Sequence, residues 1–523
     1  MTQLSWNKLL NRTRSKDLLN EPTESKEHAN NEEGDQKTGD TKDYSIDRRS
    51  SFERDYDRTL FSPPVRRLHD KAQVFPLEPN DSVRTRGTHS MEVANLAKSI
   101  INRLRSFFEE KELSSEEINQ VRSIAETCGV LHDLGNPPFG HAGEKAMQGW
   151  FKKAFNRYSV DDRDQRVHSI IDTHTQSDKI HSLGDYLKSH SEDDLTKDFL
   201  EFDGNAQTIR LVTKLQMLAD FSGLNLTAGT LAAALKYTAR SDDINENFHP
   251  KEKPGFFFSE IDVVKAVREA TDLGKLRHPI AYIVEACDDM VYSVVDIEDG
   301  IKKQVIGWKD LEEAFKGNET GERLLKEADN NMDDRLKKAN PYSNNLSVQG
   351  RDEARAQLFR TYAIGEHVAA AAEEFVEHYN VIMNGTYGSE HGEGELLKDS
   401  KTSSFLKICK TFAREEIFSS SSIITRESKG RHIISDLMDF FWEGARHTRW
   451  ESGEVKVEGD FAKRAYNLMS ENYKLVFERD MSLERVDQTG LPREYRQLQL
   501  VADYICGMTD SFAQSLHKSL YNG

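Results

Sequence analysis

The stretch His132-Asp133-Leu-Gly-Asn-Pro-Pro-Phe-Gly-His141-Ala-Gly-Glu144 sets an imidazole beside a carboxylate at the end of an apolar run. Those two side chains are suitable ligands for a divalent cation that must also hold phosphate and water. Successive helical residues are about 100° apart, so both can reach one ion from a helix edge. Gly135, Asn136 and Pro137 then stop the helix and leave the pair beside a turn. A lone His-Asp pair says little, but two further positions extend it. His89 lies near the start of a second apolar-periodic segment, and Asp288 lies inside a third. His89, His132, Asp133 and Asp288 form an open ligand set with room for water and phosphate.

In the third segment Asp288, Tyr292 and Asp296 recur every four residues and share one stripe. Ile283, Cys287, Met290, Val291 and Val294 make an apolar stripe beside it. Acids next to a core face are costly to bury without partners, so the stripe reads either as functional or as a solvated face. Asp289 is an alternative ligand to Asp288, and spacing does not separate them.

The elements that must hold these residues read as helices. Apolar residues recur with helical period over 89–108, 118–134, 206–219, 227–237, 260–272, 278–299, 355–383, 433–443 and 460–478. Ser62 followed by Pro63 and Pro64 reads as a helix start. Strand-like alternation is scarce, with at most a short strand at Gly255–Ser259. The expected fold class is mainly α. Residues 1–50 read as a polar, mobile arm, because Glu21–Lys42 carries too little apolar surface to offset its ordering entropy. A core is expected over 51–320, a helical region with polar loops over 321–404 and a C-terminal helical region over 405–523. The polar stretches Asp329–Gln357 and Asn384–Ser404 read as loops or linkers.

With 523 residues and a formal net charge of −18, the chain disfavours generic nucleic-acid binding, so any polyanionic ligand must meet a local cluster of cations. Cys128, Cys287, Cys409 and Cys506 form no CxxC pair and read as buried thiols of a reducing, cytoplasmic protein. No secretory leader and no membrane span are expected.

The order His89…His132-Asp133…Asp288 resembles the HD superfamily. The longer strings Arg66-Arg-Leu-His-Asp-Lys-Ala-Gln73-Val-Phe-Pro-Leu77, Arg84-Thr-Arg-Gly-Thr-His89-Ser-Met-Glu-Val93 and His132 to Glu144 resemble its bacterial dGTPase branch. Gly204-Asn205-Ala-Gln207, Leu235-Lys236-Tyr237-Thr238 and Tyr504-Ile-Cys-Gly-Met-Thr-Asp510 continue the likeness. It covers about 52–300 strongly and 405–515 in patches. The resemblance implies an HD-domain helical fold with a helical C-terminal region that completes the nucleotide pocket. It also implies an Mn or Mg ion, and hydrolysis of a dNTP, dGTP above all, to deoxynucleoside and triphosphate. A homo-oligomer, hexameric in relatives, and a single-stranded DNA effector are implied as well.

On that expectation water attacks the α-phosphorus and the 5′-oxygen leaves, which calls for a proton-handling group. His141 is the candidate, with Glu144 one helical turn on to orient it. Arg66, Arg67, Arg84 and Lys236 are possible triphosphate clamps. The resemblance places Asn205, Lys236 and Tyr237 near the phosphates. Tyr292 is expected to crowd the sugar where a 2′-hydroxyl would sit, with Gln73 and Asp296 at the 3′-hydroxyl. Glu427 resembles the family's guanine-reading glutamate, and Arg446 and Arg449 are both candidates for its arginine partner. A broad dNTP triphosphohydrolase, an HD phosphodiesterase of signalling nucleotides and a nucleic-acid-binding regulator with a vestigial site are the competing readings.

Overall fold

The computed structural model describes residues 3–19, 47–77, 83–161, 166–169, 180–216, 221–339, 346–482 and 490–521. They are mainly α-helical, as expected. Strands are confined to small sheets among the described residues. Tyr158–Asp161 runs antiparallel between Arg166–Ser169 and Ile180–Ser182, Ala239–Arg240 pairs in parallel with Pro254–Phe256, and Thr448–Glu451 forms a hairpin with Glu454–Val457.

The helices start and stop where local chemistry dictates. Thr85 caps Arg86–Arg103 and Ser114 caps Ser115–Leu131, the latter in a reciprocal box with Glu117. These two helices lie close together because Gly129 faces the Ala94 backbone, where a Cβ would stand 2.4 Å from the Ala94 Cα. That approach brings His89 and His132 side by side, their rings 5.3 Å apart. Pro279–Lys302 starts on a proline behind the His278 cap. Its Ile283, Cys287, Met290 and Val291 sit in the main core, whereas Val294, Ile297 and Ile301 sit in a second core around Trp308, Phe315, Phe359 and Phe405. One helix therefore spans both cores, with Asp288 near its middle.

Two boundaries differ from the sequence reading. The expected arm does not begin at residue 1: Leu4, Trp6, Leu9 and Leu10 are buried, and Trp6 donates a hydrogen bond to the Tyr379 hydroxyl at 2.8 Å. Arg14 then pairs with the buried Asp55. The acidic composition of 21–42 dominated the average over 1–50, and that stretch lies outside the described residues. Asp329–Gln357 is also largely helical, because Glu319–Ala339 and Val348–Glu377 run through it. Ala328 and Met332 on the first helix and Ala356 and Phe359 on the second are buried in one cluster, and the polar residues between them masked the period. Asn384–Ser404 is mostly loop, with Gly385, Gly388, Gly392 and Gly394 at positive φ and the Leu396–Asp399 turn within it.

Candidate active site

His89 is buried on Arg86–Arg103, and its Nε2 lies 3.0 Å from the Asp288 Oδ1. His132 caps the C-terminus of Ser115–Leu131, and its Nδ1 donates to the Gly129 carbonyl at 2.8 Å. With Nδ1 so engaged, Nε2 is the nitrogen that faces the acids, 3.6 Å from Asp288 Oδ1 and 3.7 Å from Asp133 Oδ2. The nitrogen is buried and makes no hydrogen bond. One ligand atom from each of His89, His132 and Asp133 lies within 4.8 Å of the others. A buried, unbonded imidazole nitrogen among two carboxylates and a second imidazole fits a divalent cation that also takes oxygen ligands.

The two adjacent acids part company here. Asp288 turns toward the histidines, whereas Asp289 accepts from the Lys410 Nζ at 2.8 Å. Burial pushes the Asp288 pKa up, but His132, His89 and Lys236 outweigh it and hold the carboxyl well below its usual range. Asp133 behaves alike. Burial opposes its charge, yet Arg86, donating at 2.7 Å, and the two histidines keep its pKa at about 2. Asn136 donates to its other oxygen.

His132, Asp133 and Asp288 border a cleft of about 360 Å³, and His89 is buried against Asp288 without lining it. His132, Asp133 and Asp288 line its floor, and Asn205, Lys236, Tyr237 and Lys253 form one wall. The Lys236 Nζ lies 3.5 Å from Asp288 and 3.6 Å from Glu285. Glu285 in turn holds Arg277 at 2.8 Å and His249 at 2.9 Å, a buried network behind that wall. His141 is exposed at the cleft edge. Its Nδ1 lies 2.8 Å from Glu144 Oε2, while Glu144 Oε1 accepts the Gly204 amide at 3.0 Å. Burial raises the Glu144 pKa, but the bond to His141 prevails and lowers it. Gln73, Tyr292, Phe418, Ile423 and Glu427 also line the cleft, and the Tyr292 and Phe418 rings stand 5.8 Å apart.

Several expected residues stand elsewhere. Arg66 is exposed on Pro63–Leu68 and does not line the cleft. Arg67 donates to the Tyr473 hydroxyl at 3.0 Å, and Arg84 is bound by Glu92, Glu298 and Asp299. A basic residue inside a motif does not reveal which way its helix turns. Asp296 does not line the cleft either. It is buried beyond Tyr292, and burial drives its pKa well above the carboxylate range. Arg446 pairs with Glu443 and Arg449 with Glu458, and neither lines the cleft.

Sequence reasoning missed Arg86, Lys253, Phe418 and Ile423. Arg86 had a signal, because it precedes His89 by one helical turn and a buried carboxylate pair needs a cation. Lys253, Phe418 and Ile423 carried no local mark. The described residues include no helix long and apolar enough to cross a membrane, and all four cysteines are buried thiols.

The HD domain family matches residues 86–211, and a phosphohydrolase-associated domain matches 456–519. A deoxyguanosinetriphosphate triphosphohydrolase-like protein of Listeria innocua is 32% identical over 521 residues, covering 99% of each chain. Deoxyguanosinetriphosphate triphosphohydrolases of Yersinia enterocolitica and Klebsiella pneumoniae are 31% and 30% identical, each over 90% of this chain and 93% of the relative.

Proposed function

The chain belongs to the deoxyguanosinetriphosphate triphosphohydrolase family of the HD superfamily, and we propose that it hydrolyses dGTP to deoxyguanosine and inorganic triphosphate. The observation that carries this reading is the convergence of His89, His132 and Asp133, with Asp288 against His89, at a cleft that His132, Asp133, Asp288, Lys236 and Lys253 line. His89, His132, Asp133 and Asp288 would hold an Mn or Mg ion. Bound there, the ion supplies positive charge against the α-phosphate oxygens as water attacks phosphorus.

The remaining work falls to the protein's own groups. Lys236 and Lys253 offset triphosphate charge, and Asn205 and Tyr237 give it hydrogen bonds. Glu144 engages His141 through Nδ1, so Nε2 is the nitrogen free to exchange a proton with water or the departing 5′-oxygen. Tyr292 fills the space a 2′-hydroxyl needs, and Gln73 meets the 3′-hydroxyl. Phe418 and Ile423 offer apolar surface to a base, with Glu427 at its polar edge.

A second reading, a broad dNTP triphosphohydrolase, draws on one observation: Glu427 lines the cleft without Arg446 or Arg449 beside it. Pure protein with Mn and each dNTP, followed by chromatography of the products, tests both. Free nucleoside with intact tripolyphosphate is expected, fastest from dGTP. Similar rates from all four favour the broad reading, and monophosphate with pyrophosphate rejects both. The homo-oligomer and the single-stranded DNA effector belong to the same proposal, and light scattering and rates with added oligonucleotide measure them.

A further inference from the structure

Asp510 opens the Asp510–Tyr521 helix and is buried. Its two carboxylate oxygens reach two walls of the cleft at once. Oδ1 accepts the Phe139 amide at 2.9 Å, two residues before His141, and Oδ2 accepts the Ala72 amide at 3.1 Å, beside Gln73. The Asp510 amide closes the arrangement by donating to the Asp70 carbonyl at 3.0 Å. Lys71, also buried, spans the same gap: its Nζ donates to the Asn136 carbonyl at 2.6 Å and to the Cys506 carbonyl at 2.7 Å, at the end of Arg493–Cys506.

What these groups hold does not hold itself. Phe139 has φ +63°, a left-handed conformation that a side-chain-bearing residue adopts only when its surroundings enforce it. It is the residue from which Gly140–Arg157 departs, so its backbone sets the direction in which His141 enters the cleft. From the other side its ring lies against Gly430, where a Cβ would stand 2.7 Å from Phe139 Cγ. A buried carboxylate and a buried ammonium are costly to install, and neither lines the cleft.

We propose that Asp510, assisted by Lys71, is a positioning residue that fixes the Phe139 backbone, and hence His141, against the Gln73 wall. The inference deepens the triphosphohydrolase reading and rests on it for its kinetic consequence. The phosphohydrolase-associated region thereby serves the reaction without touching substrate.

Asp510→Asn keeps one acceptor and turns an amide donor toward the second backbone N–H, so one bridge is lost. With the Mn-loaded full chain and dGTP, kcat falls about a hundredfold while KM and Mn affinity stay within about threefold. In a His141→Ala background the same change costs no more than about threefold, because the loss acts through His141. Hydrogen exchange quickens at the amides of Phe139, Gly140 and His141 and is unchanged in Arg86–Arg103. If Asp510→Asn fails to fold, Lys71→Met takes its place with the same expectations. Unchanged kcat and exchange, or a loss that multiplies with His141→Ala, overturns the proposal. A wild type that releases no nucleoside from any dNTP defeats the functional reading, and exchange at the amides of 139–141 then decides the brace alone.

Discussion

Asp288 Oδ1 stands 3.0 Å from His89 Nε2 although 199 residues separate them in the chain. Their helices are brought together by packing on either side, so the pair is held by the fold rather than by a local turn. Asp288→Asn removes the charge while keeping the shape. It should weaken Mn binding at least about a hundredfold and stop hydrolysis. Calorimetric titration of the metal measures the first effect, and wild-type affinity in the variant would remove Asp288 from the ligand set.

Arg86 is the buried cation of this site and is paired with Asp133. Arg86→Met strands that carboxylate and should cost about 3–5 kcal/mol of stability. Arg86→Lys keeps the charge and should cost less. Urea unfolding of both variants checks the order.

The network behind Lys236 makes stability depend on pH. Burial lowers the His249 pKa, but Glu285 and Glu252 more than compensate and raise it from 6.5 to about 9. A raised pKa means that the proton binds the folded state more tightly. The contribution, about 3 kcal/mol, is thus complete below the unfolded value of about 6.5 and disappears as pH climbs through about 9. Unfolding free energies of wild type and His249→Gln should differ most near pH 6 and converge near pH 10. A gap that stays constant over that range counts against the assignment.

Tyr292 lines the cleft with its ring 5.8 Å from that of Phe418. Tyr292→Ala opens space at the sugar, so the preference for dGTP over GTP should shrink about 10–100-fold. Competing the two nucleotides in one assay gives the ratio directly, and an unchanged preference means the 2′-position is read elsewhere.

The helices that carry chemistry were largely legible in the sequence. The apolar period over 278–299 marks a helix that runs Pro279–Lys302, and the Gly135-Asn136-Pro137 stop leaves His132 just past Leu131. The stripe Asp288, Tyr292, Asp296 was legible only in part. Periodicity gives the face of a helix but not the point at which neighbours cover it, so Asp288 and Tyr292 line the cleft while Asp296 lies beneath its wall. Arg66 and Arg84 failed for a related reason: charge predicts a need for a partner, and Arg84 found its partners in Glu298 and Asp299 instead of a phosphate. Phe418, Ile423 and Asp510 reach the site only through long-range folding, and nothing near them in sequence announces it.

The bond from Phe139 to Asp510 crosses 371 residues. At about 5–20 residues per second, the ribosome needs roughly 20–75 s to make the second partner after the first. Asp288 is made 149 residues after Phe139, so only over the last 222 residues of that interval does the nascent chain have all four proposed ligands but not its brace. On the proposed reading, a growing chain would complete its ligand set before the contact that sets His141, and full turnover would wait for Asp510–Tyr521 to dock.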